Sequence, residues 1–365
     1  MAYTSVATST FTVTGSEFDV HIWSTLTFRE ALKATLFRRF LGTGKGAIIM
    51  RLTELEKSAG DTIKYDLLMQ MGNAGVTGDN RMRDNEEALT YYQDSVKIDQ
   101  LRNAHAFRRM SQQRTLHDLR MDAKGNLADW FAGKYDTYMM DYLCGNTSRS
   151  FAGNTATAPD SDHYVMSGDV SKTGTIATDE TSLGSNDQFQ LADMDYCKES
   201  AGTMTPPMRP ANVDGGEYYV VVLHPYSVVD MRLDVANSAY ITWPAIQMYA
   251  NQRGLKNPIF DGSLGVYNGM ILFESSRIYS PRTNVRRNLF LGAQAGVFAM
   301  GNAYNKLQQG KVGGDNLMSW FEEIADYGNE VGIAVGSVFG MKATYFNSKD
   351  FGKMVISSYS ASHAG

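Results

Sequence analysis

The chain has 365 residues, of which 43% are hydrophobic and 20% charged, and its net charge is -5, so it can bury a large core as one large or two medium domains. No run approaches the roughly 20 apolar residues that a membrane span needs, which argues against a transmembrane protein. The two cysteines form no CxxC or Cys/His cluster, which argues against a disulfide framework and structural zinc. Residues 24–125 hold 17 Lys and Arg against 13 Asp and Glu, whereas residues 146–205 hold 3 against 9; neither segment is a strongly basic nucleic-acid patch.

The first 47 residues predict an N-terminal arm followed by a short helix. Residues 1–23 are rich in Ser and Thr and show no sustained period, which is typical of an extended arm. Thr27 and Glu30 then form a capping box, and apolar residues recur every four positions until Gly42 supplies a stop. This pattern predicts a helix over 27–41.

Residues 48–107 predict a long two-stranded hairpin arm. In the stretch GDTIKYDLLMQMGNAGVTGDN, Ile63, Tyr65 and Leu67 face one side of a strand and polar residues face the other. A second strand-like run, YYQDSVKID, follows a polar, glycine-rich tip. A lone hairpin is at best marginally stable in water. We therefore expect the arm to have no hydrophobic contacts within its own chain and to be covered by another copy.

The segment 108–145 predicts a long helix. Apolar residues keep a spacing of three and four from Leu116 to Tyr142 while charged residues fill the opposite side. A helix over 114–143 would run roughly 45 Å at 1.5 Å per residue. Such a length predicts a structural strut.

The remaining chain predicts a surface segment and then a mixed core. Residues 146–205 are polar and acidic, which favours a surface insertion or long loop. Within 206–290, EYYVVVL predicts a buried strand, Pro225 the start of a helix, and Asn268-Gly269 a hairpin turn. Residues 291–365 add further strands. The fold class predicted is α+β, with strands drawn from distant segments.

No pattern in the chain indicates catalysis. The segment GTGKG lacks the Ser or Thr of a phosphate-binding loop, and GNAGVTG spaces its glycines as GxxGxxG with no helix after it. The six histidines show no HxH or HExxH spacing, and no GxSxG frames a serine. The sequence therefore predicts neither an enzyme nor a cofactor or metal site, although an enzyme without a visible motif stays open as an alternative.

The order of these features resembles the major capsid protein fold of tailed phages, with its N-arm, extended hairpin loop, long spine helix, and peripheral and axial domains. The phrases RLTELEKSAGDTIKYDLLMQM, GDNRMRDNEEAL, NPIFDGSLGVYNGMILFES and NLFLGAQAGVFAMG are similar to the capsid-protein family of short-tailed phages of the large virion-polymerase type. The resemblance runs from about Ser24 to Phe346 and weakens at 146–205.

The resemblance implies a major capsid protein that self-assembles, as pentamers and hexamers, into an icosahedral shell around double-stranded DNA. It implies the segments 1–47 as N-arm and short helix, 48–107 as extended loop, 108–145 as spine helix of the peripheral domain, 146–205 as insertion, 206–290 as axial domain and 291–365 as C-terminal strands of both domains. The resemblance further implies portal, scaffold and decoration proteins as partners and no contact with a membrane. It places the protein in the virion, which is assembled in the host bacterial cytoplasm. The alternative is a phage decoration or receptor-binding surface protein.

The extended loop supplies the residues expected to contact other subunits. Arginines on an arm can form bidentate pairs with carboxylates of a neighbour. The predicted intersubunit contacts are Ile63, Lys64, Tyr65, Asp66, Leu67, Arg81, Arg83 and Arg102.

Overall fold

The computed structural model describes residues 27–28, 30–31, 35–56, 60–68, 71–73, 75–167, 180–213, 215–233, 265–303 and 318–363. The N-terminal arm predicted at residues 1–23 lies outside the described residues.

Four α-helices and four short 3-10 helices have both ends within the described part of the chain. The α-helices are α1 (Arg109–Arg114), α2 (Leu119–Leu143), α3 (Leu191–Thr203) and α4 (Pro225–Leu233). The 3-10 helices are Leu36–Arg39, Glu54–Glu56, Ser161–His163 and Asp326–Gly328.

The strands of the described ranges fall into two large sheets and three small hairpins. In chain order they are β1 (Leu41–Gly42), β2 (Ile49–Leu52), β3 (Thr62–Leu68), β4 (Tyr91–Lys97), β5 (Asp99–Arg108), β6 (Ser150–Phe151), β7 (Asn154–Thr155), β8 (Tyr164–Met166), β9 (Ala211–Val213), β10 (Gly216–Leu223), β11 (Gly265–Tyr267), β12 (Met270–Glu274), β13 (Val285–Leu291), β14 (Gly296–Met300), β15 (Met318–Ala325), β16 (Glu330–Ala343), β17 (Tyr345–Phe346), β18 (Lys349–Asp350) and β19 (Lys353–Tyr359).

The first large sheet carries the long helix α2 on one face. Its strand order is β1-β2-β14-β16-β15, and β5 pairs with β16 as well. Tyr135 of α2 packs edge-on against Phe339 at 4.8 Å between ring centroids and donates a 2.9 Å hydrogen bond to Ser337. Leu127 and Phe131 of the same helix are fully buried. The predicted strut is thus a helix whose apolar stripe is covered by a sheet of its own chain.

The long helix begins later than the sequence predicts. Thr115 has extended backbone dihedrals, and the Asp118 side chain accepts hydrogen bonds from the backbone amides of Arg120 and Met121. A side chain that satisfies the free amides of a first turn fixes the helix start there. The predicted helix over 114–143 is therefore wrong over 115–118, Arg114 belongs to the separate helix α1, and Leu116 lies exposed between the two helices.

The first predicted helix, 27–41, is also interrupted. Residues 27, 28, 30 and 31 are helical, but Thr35 is extended, with φ of -79° and ψ of 138°. The 3-10 helix that follows receives its cap from elsewhere: both carboxylate oxygens of Asp136 lie 3.1 Å from the backbone amide of Leu36. A contact between residues 100 positions apart is invisible to a local capping pattern.

The second large sheet holds most of the remaining core. Its order is β11-β12-β10-β13-β19-β8, with β9 paired to β10. The buried strand predicted in EYYVVVL is confirmed as β10, the helix start at Pro225 is confirmed as α4, and the predicted turn joins β11 and β12 with positive φ at Asn268 and Gly269.

The prediction that residues 146–205 form a surface insertion or loop is wrong for two of its segments. Strand β8 pairs in parallel with β19, and its three residues are buried. Helix α3 buries Met194 and Cys197 in the core of the second sheet. Three-residue strands and a helix with few large aliphatic residues give too weak a periodic signal to detect in a polar background.

A buried ion pair at Glu180 fastens the range 146–205 to the second large sheet. Glu180 accepts two hydrogen bonds from Arg287, at 2.7 and 3.0 Å, and one from Ser357 at 2.7 Å. The same guanidinium donates to the carbonyls of Cys144 and Gly145.

Both cysteines are free and buried, and burial raises the pKa of Cys144 to about 12, so this thiol is unreactive.

One glycine allows the chain to cross from the hairpin to the first sheet. An added Cβ at Gly340 of β16 would overlap the carbonyl of Lys97 and contact the backbone of Ile98. Glycine at this point lets two backbone segments approach closely. The end of β4 is therefore held tightly against β16.

Candidate assembly surface

The predicted arm exists, but it is shorter than expected. Strands β3 and β4 form a two-stranded antiparallel hairpin in which Thr62 pairs with Lys97 and Leu68 with Tyr91. The third segment assigned to the arm, β5, pairs instead along β16, from Arg108 opposite Glu330 to Asp99 opposite Phe339. The hairpin therefore ends near Lys97, and β5 belongs to the first sheet.

The base of the hairpin is buried within its own chain, which corrects the expectation that the arm has no hydrophobic contacts there. Ile63 is 2% exposed and Val96 is 0% exposed. They form a small core with Leu55 and with Val297 and Ala299 of β14. Ile63 is therefore unavailable to another subunit, and it leaves the predicted set of intersubunit contacts.

Tyr65 anchors the middle of the hairpin. Its ring packs edge-on against Phe346 at 5.7 Å, and its hydroxyl donates a 2.6 Å hydrogen bond to Asp94. Burial, followed by the charge of Asp94, raises the pKa of Tyr65 above its usual value, so the hydroxyl stays protonated. Lys342 of β16 forms an ion pair with the same Asp94. Tyr65 thus acts mainly inside its own subunit.

Beyond Tyr65 the hairpin becomes exposed. Leu67 is half-buried and lines a cleft with Tyr92, Phe346 and Phe351. Lys64 and Asp66 point to the other face and are exposed. Of the large apolar side chains in the described part of the arm, the exposed ones, with their exposed fractions, are Leu68 (52%), Met71 (61%), Met82 (57%), Leu89 (61%) and Tyr91 (56%).

The tip is held in shape by one acidic residue that the sequence did not single out. Glu87 accepts hydrogen bonds from the backbone amides of Gly72, at 2.9 Å, and Asn73, at 2.8 Å. These bonds favour the charged carboxylate and lower the pKa of Glu87. The sequence shows only that a glutamate follows a glycine-rich stretch. A glutamate in that setting is normally interpreted as a solvated charge, so its role at the tip was not predicted.

The structure does not bring the three predicted arginines together. Arg81 and Arg83 are exposed at the hairpin tip, as predicted. Arg102 is also exposed but lies on β5, opposite Gly336 of β16. Arg102 is therefore on the sheet and not on the arm.

The outer edge of β4 is covered by side chains near the base of the hairpin. The buried amide of Asn154 accepts a 2.9 Å hydrogen bond from the Lys97 backbone amide and donates a 2.8 Å bond to the Lys97 carbonyl. Asn154 thus takes the place of a further strand. The Ser95 amide is bonded to Asp94 at 2.7 Å. Covering of this kind is how proteins prevent unwanted strand pairing.

Neither a metal centre nor a membrane-spanning helix is found among the described residues. No group of three or more His, Cys, Asp or Glu side chains in those ranges is arranged to hold a metal ion. No helix within them has the length and apolar character to cross a membrane.

Comparison with known proteins decides the family. Residues 11–362 match the family model described as phage capsid protein. The chain belongs to the phage capsid protein family. Its function is therefore that of a major capsid protein, which forms the shell of a phage particle and is part of the virion.

Individual relatives of this capsid protein agree with the assignment. The major capsid protein of Pseudomonas phage KPP25 is 28% identical to it over 93% of this chain and 94% of the relative. The capsid of Ralstonia phage GP4 is 31% identical, with a TM-score of 0.75, over 91% of this chain and 92% of that one. The cyanophage Pam1 capsid shares the fold, with 21% identity, a TM-score of 0.70 and coverage of 90% and 93%. The predicted α+β capsid fold is thereby confirmed.

Proposed function

We propose that copies of this capsid protein assemble as pentamers and hexamers into an icosahedral shell around double-stranded DNA, and that the hairpin β3–β4 reaches a neighbouring subunit in that shell. The observation that carries the proposal is the contrast within the hairpin: its base is anchored in its own core, whereas its outer half exposes five large apolar side chains. Contiguous exposed apolar surface is typical of an interface.

The anchored base determines how the outer half is presented. Ile63, Val96 and Tyr65 fix the hairpin on the subunit through packing and hydrogen bonds. An arm that is already oriented loses less conformational entropy when it binds. A single arm contact is small, but a closed shell repeats it in every subunit, so weak contacts sum to a stable particle.

The contacts proposed on the arm are those that the structure leaves exposed or half-exposed. They are Lys64, Asp66, Leu67, Arg81 and Arg83. Arg102 is proposed as a contact from the surface of the first sheet. Assembly in the host bacterial cytoplasm, a phage of the large virion-polymerase type, and portal, scaffold and decoration proteins as further partners belong to the same proposal.

The alternative role, a decoration or receptor-binding protein, would be favoured if residues 146–205 formed a separate β domain. Strand β8 and helix α3 of that range pack into the second large sheet. No observation therefore favours the alternative.

Expression of the protein followed by electron microscopy tests the proposal. We expect thin-walled regular particles from the wild-type chain. Removal of residues 72–85, or the double reversal Arg81→Glu with Arg83→Glu, should leave folded subunits that assemble poorly. The matched variant Arg81→Lys with Arg83→Lys keeps both charges and should assemble far better than the reversal. A wild-type protein that stays monomeric over a wide range of concentration and salt would contradict the proposal.

A further inference from the structure

Within the described part of the chain, the outer edge of β3 is an open strand edge. The backbone amide of Ile98 donates to the carbonyl of Asp61 at 2.8 Å, which makes residues 61 and 98 a hydrogen-bonded pair. Hydrogen-bonded and non-hydrogen-bonded pairs alternate along antiparallel strands. The odd-numbered residues of β3 therefore bond to β4, and the even-numbered ones, Thr62, Lys64, Asp66 and Leu68, direct their backbone amides and carbonyls away from it.

Neighbouring edges differ from this one because side chains bond some of their backbone groups. Lys97 of β4 is bonded on both backbone groups by Asn154, and the Ser95 amide by Asp94. On β5 the Gln100 amide is bonded to Asp99 and the Ala104 amide to Asn103. Among the described residues, no backbone or side-chain group bonds the outward amides and carbonyls of β3.

We propose that β3 pairs with β3 of a second copy, antiparallel, with Tyr65 opposite Tyr65 of the partner subunit. The two hairpins then form one continuous sheet in the order β4-β3-β3-β4. This inference rests on the proposed function, since it specifies one contact between assembled subunits. Addition of a strand to an open edge is a common mode of protein association.

Charge selects this register. Lys64 and Asp66 are exposed on the same face of β3. With Tyr65 at the centre, Lys64 lies opposite Asp66 of the partner subunit, and Asp66 lies opposite Lys64 of the partner subunit. A shift of two residues in either direction places two lysines or two aspartates opposite each other, and like charges in that position are unfavourable. A shift of one residue sets outward-directed backbone groups against inward-directed ones and loses the hydrogen bonds.

The position of the subunit body fits the same arrangement. Antiparallel strands of one sheet are related by a two-fold axis normal to the sheet, so their equivalent side chains lie on the same face. The face that carries Ile63 and Tyr65 rests on the body of its own subunit, through Val297 and Phe346. Both bodies therefore lie on the same side of the joint sheet, as a shell of subunits requires.

Exchange of the charges at positions 64 and 66 tests the register of the β3–β3 pairing, with particle assembly as the readout. Lys64→Asp places aspartates opposite each other and should raise the protein concentration needed for assembly about tenfold, because two attractive pairs become two repulsive ones. The double variant, Lys64→Asp with Asp66→Lys, restores both attractive pairs and should assemble like the wild type. Lys97→Asp is the matched control, since it reverses an exposed lysine on the same face but one strand away from the edge. Melting temperatures of the unassembled subunits check that all variants fold.

Cysteine cross-linking gives a second, independent readout. A hydrogen-bonded antiparallel pair has a Cα separation of about 5.5 Å, within the range that a disulfide spans. Particles assembled from Lys64→Cys subunits mixed with Asp66→Cys subunits should form a dimer through these two positions on oxidation, whereas neither variant alone should. The native thiols of Cys144 and Cys197 are buried and do not compete.

The outcomes separate this contact from the proposed function. Wild-type particles that form normally while the mixed cysteines fail to cross-link, or while either cysteine variant alone cross-links equally well, overturn the β3–β3 contact and leave the capsid function intact. A charge-exchanged double variant that assembles no better than Lys64→Asp overturns it as well. A wild-type chain that forms no particles contradicts the proposed function itself.

Discussion

The base and the tip of the hairpin β3–β4 differ in what covers their apolar side chains. At the base, Ile63 and Val96 are enclosed by residues of β14 in the same subunit. At the tip, Met71, Met82 and Leu89 are more than half exposed. One continuous element thus serves folding at one end and, in the proposed contact, supplies surface for assembly at the other. Substitutions along it should change from destabilising the subunit to weakening assembly.

The largest effect on folding is expected at Ile63. Ile63→Ala removes a fully enclosed side chain and should lower the free energy of unfolding of the unassembled subunit by about 2–5 kcal/mol. Leu68→Ala, on the exposed side of the same strand, should change it by less than about 0.5 kcal/mol. Chemical denaturation of both variants measures the difference. Equal losses at the two positions would show that the base is not anchored as described.

A smaller loss is expected at Asn154. Asn154→Ala removes both side-chain partners of the Lys97 amide and carbonyl in a partly buried setting, which should cost about 1–3 kcal/mol of unfolding free energy. The neighbouring exposed residue offers a control, since Thr155→Ala changes no bond to the hairpin. Denaturation curves of the pair check the expectation, and an unchanged Asn154→Ala protein would mean that water replaces the amide at no cost.

Tyr65→Phe should have a modest effect. The ring contact with Phe346 remains, but the hydrogen bond to Asp94 is lost, which corresponds to about 0.5–1.5 kcal/mol. Tyr92→Phe is the control, because the Tyr92 hydroxyl makes no hydrogen bond within the described ranges. A thermal melt of each variant compares them. If the Tyr92 variant were the less stable of the two, Tyr65 would not be the anchor of the hairpin.

The smallest effect on folding is expected at the tip. Met82→Ser should change the unfolding free energy by less than about 0.5 kcal/mol, because the side chain is 57% exposed. The same change removes apolar surface that a neighbouring subunit would cover, so the yield of particles should fall. Melting curves and particle counts on the same preparation test both halves of the prediction. Normal particle yield would place the neighbour elsewhere on the arm.

Local features were predictable from the sequence, whereas their partners were not. The turn at Asn268-Gly269, the helix start at Pro225 and the alternation around Ile63 all depend on neighbouring residues, and the structure confirms them. What covers Ile63 is β14, more than 200 positions later in the chain. Without that contact, the same alternation predicts an uncovered arm.

The errors have the same physical origin. Strand β5 lies within the range 48–107 that the sequence predicts as the arm, but its hydrogen bonds go to β16, more than 200 residues away. Thr35 interrupts the first helix because Asp136 caps the next turn. At the site, Lys64, Asp66, Arg81 and Arg83 are exposed as expected, and Glu87 and Asn154 were missed because their partners are backbone groups.

The close approach of Gly340 to Lys97 fixes the base of the hairpin against the first sheet. The strands of the hairpin extend seven residues from this fixed base, roughly 20 Å at about 3.3 Å per residue. A methyl group at position 340 would displace the backbone of Lys97, and the tip of the hairpin would move by a larger distance than its base. If the hairpin contacts a neighbouring subunit as proposed, the spacing between subunits, and with it the curvature of the shell, depends on this glycine in the interior of each one.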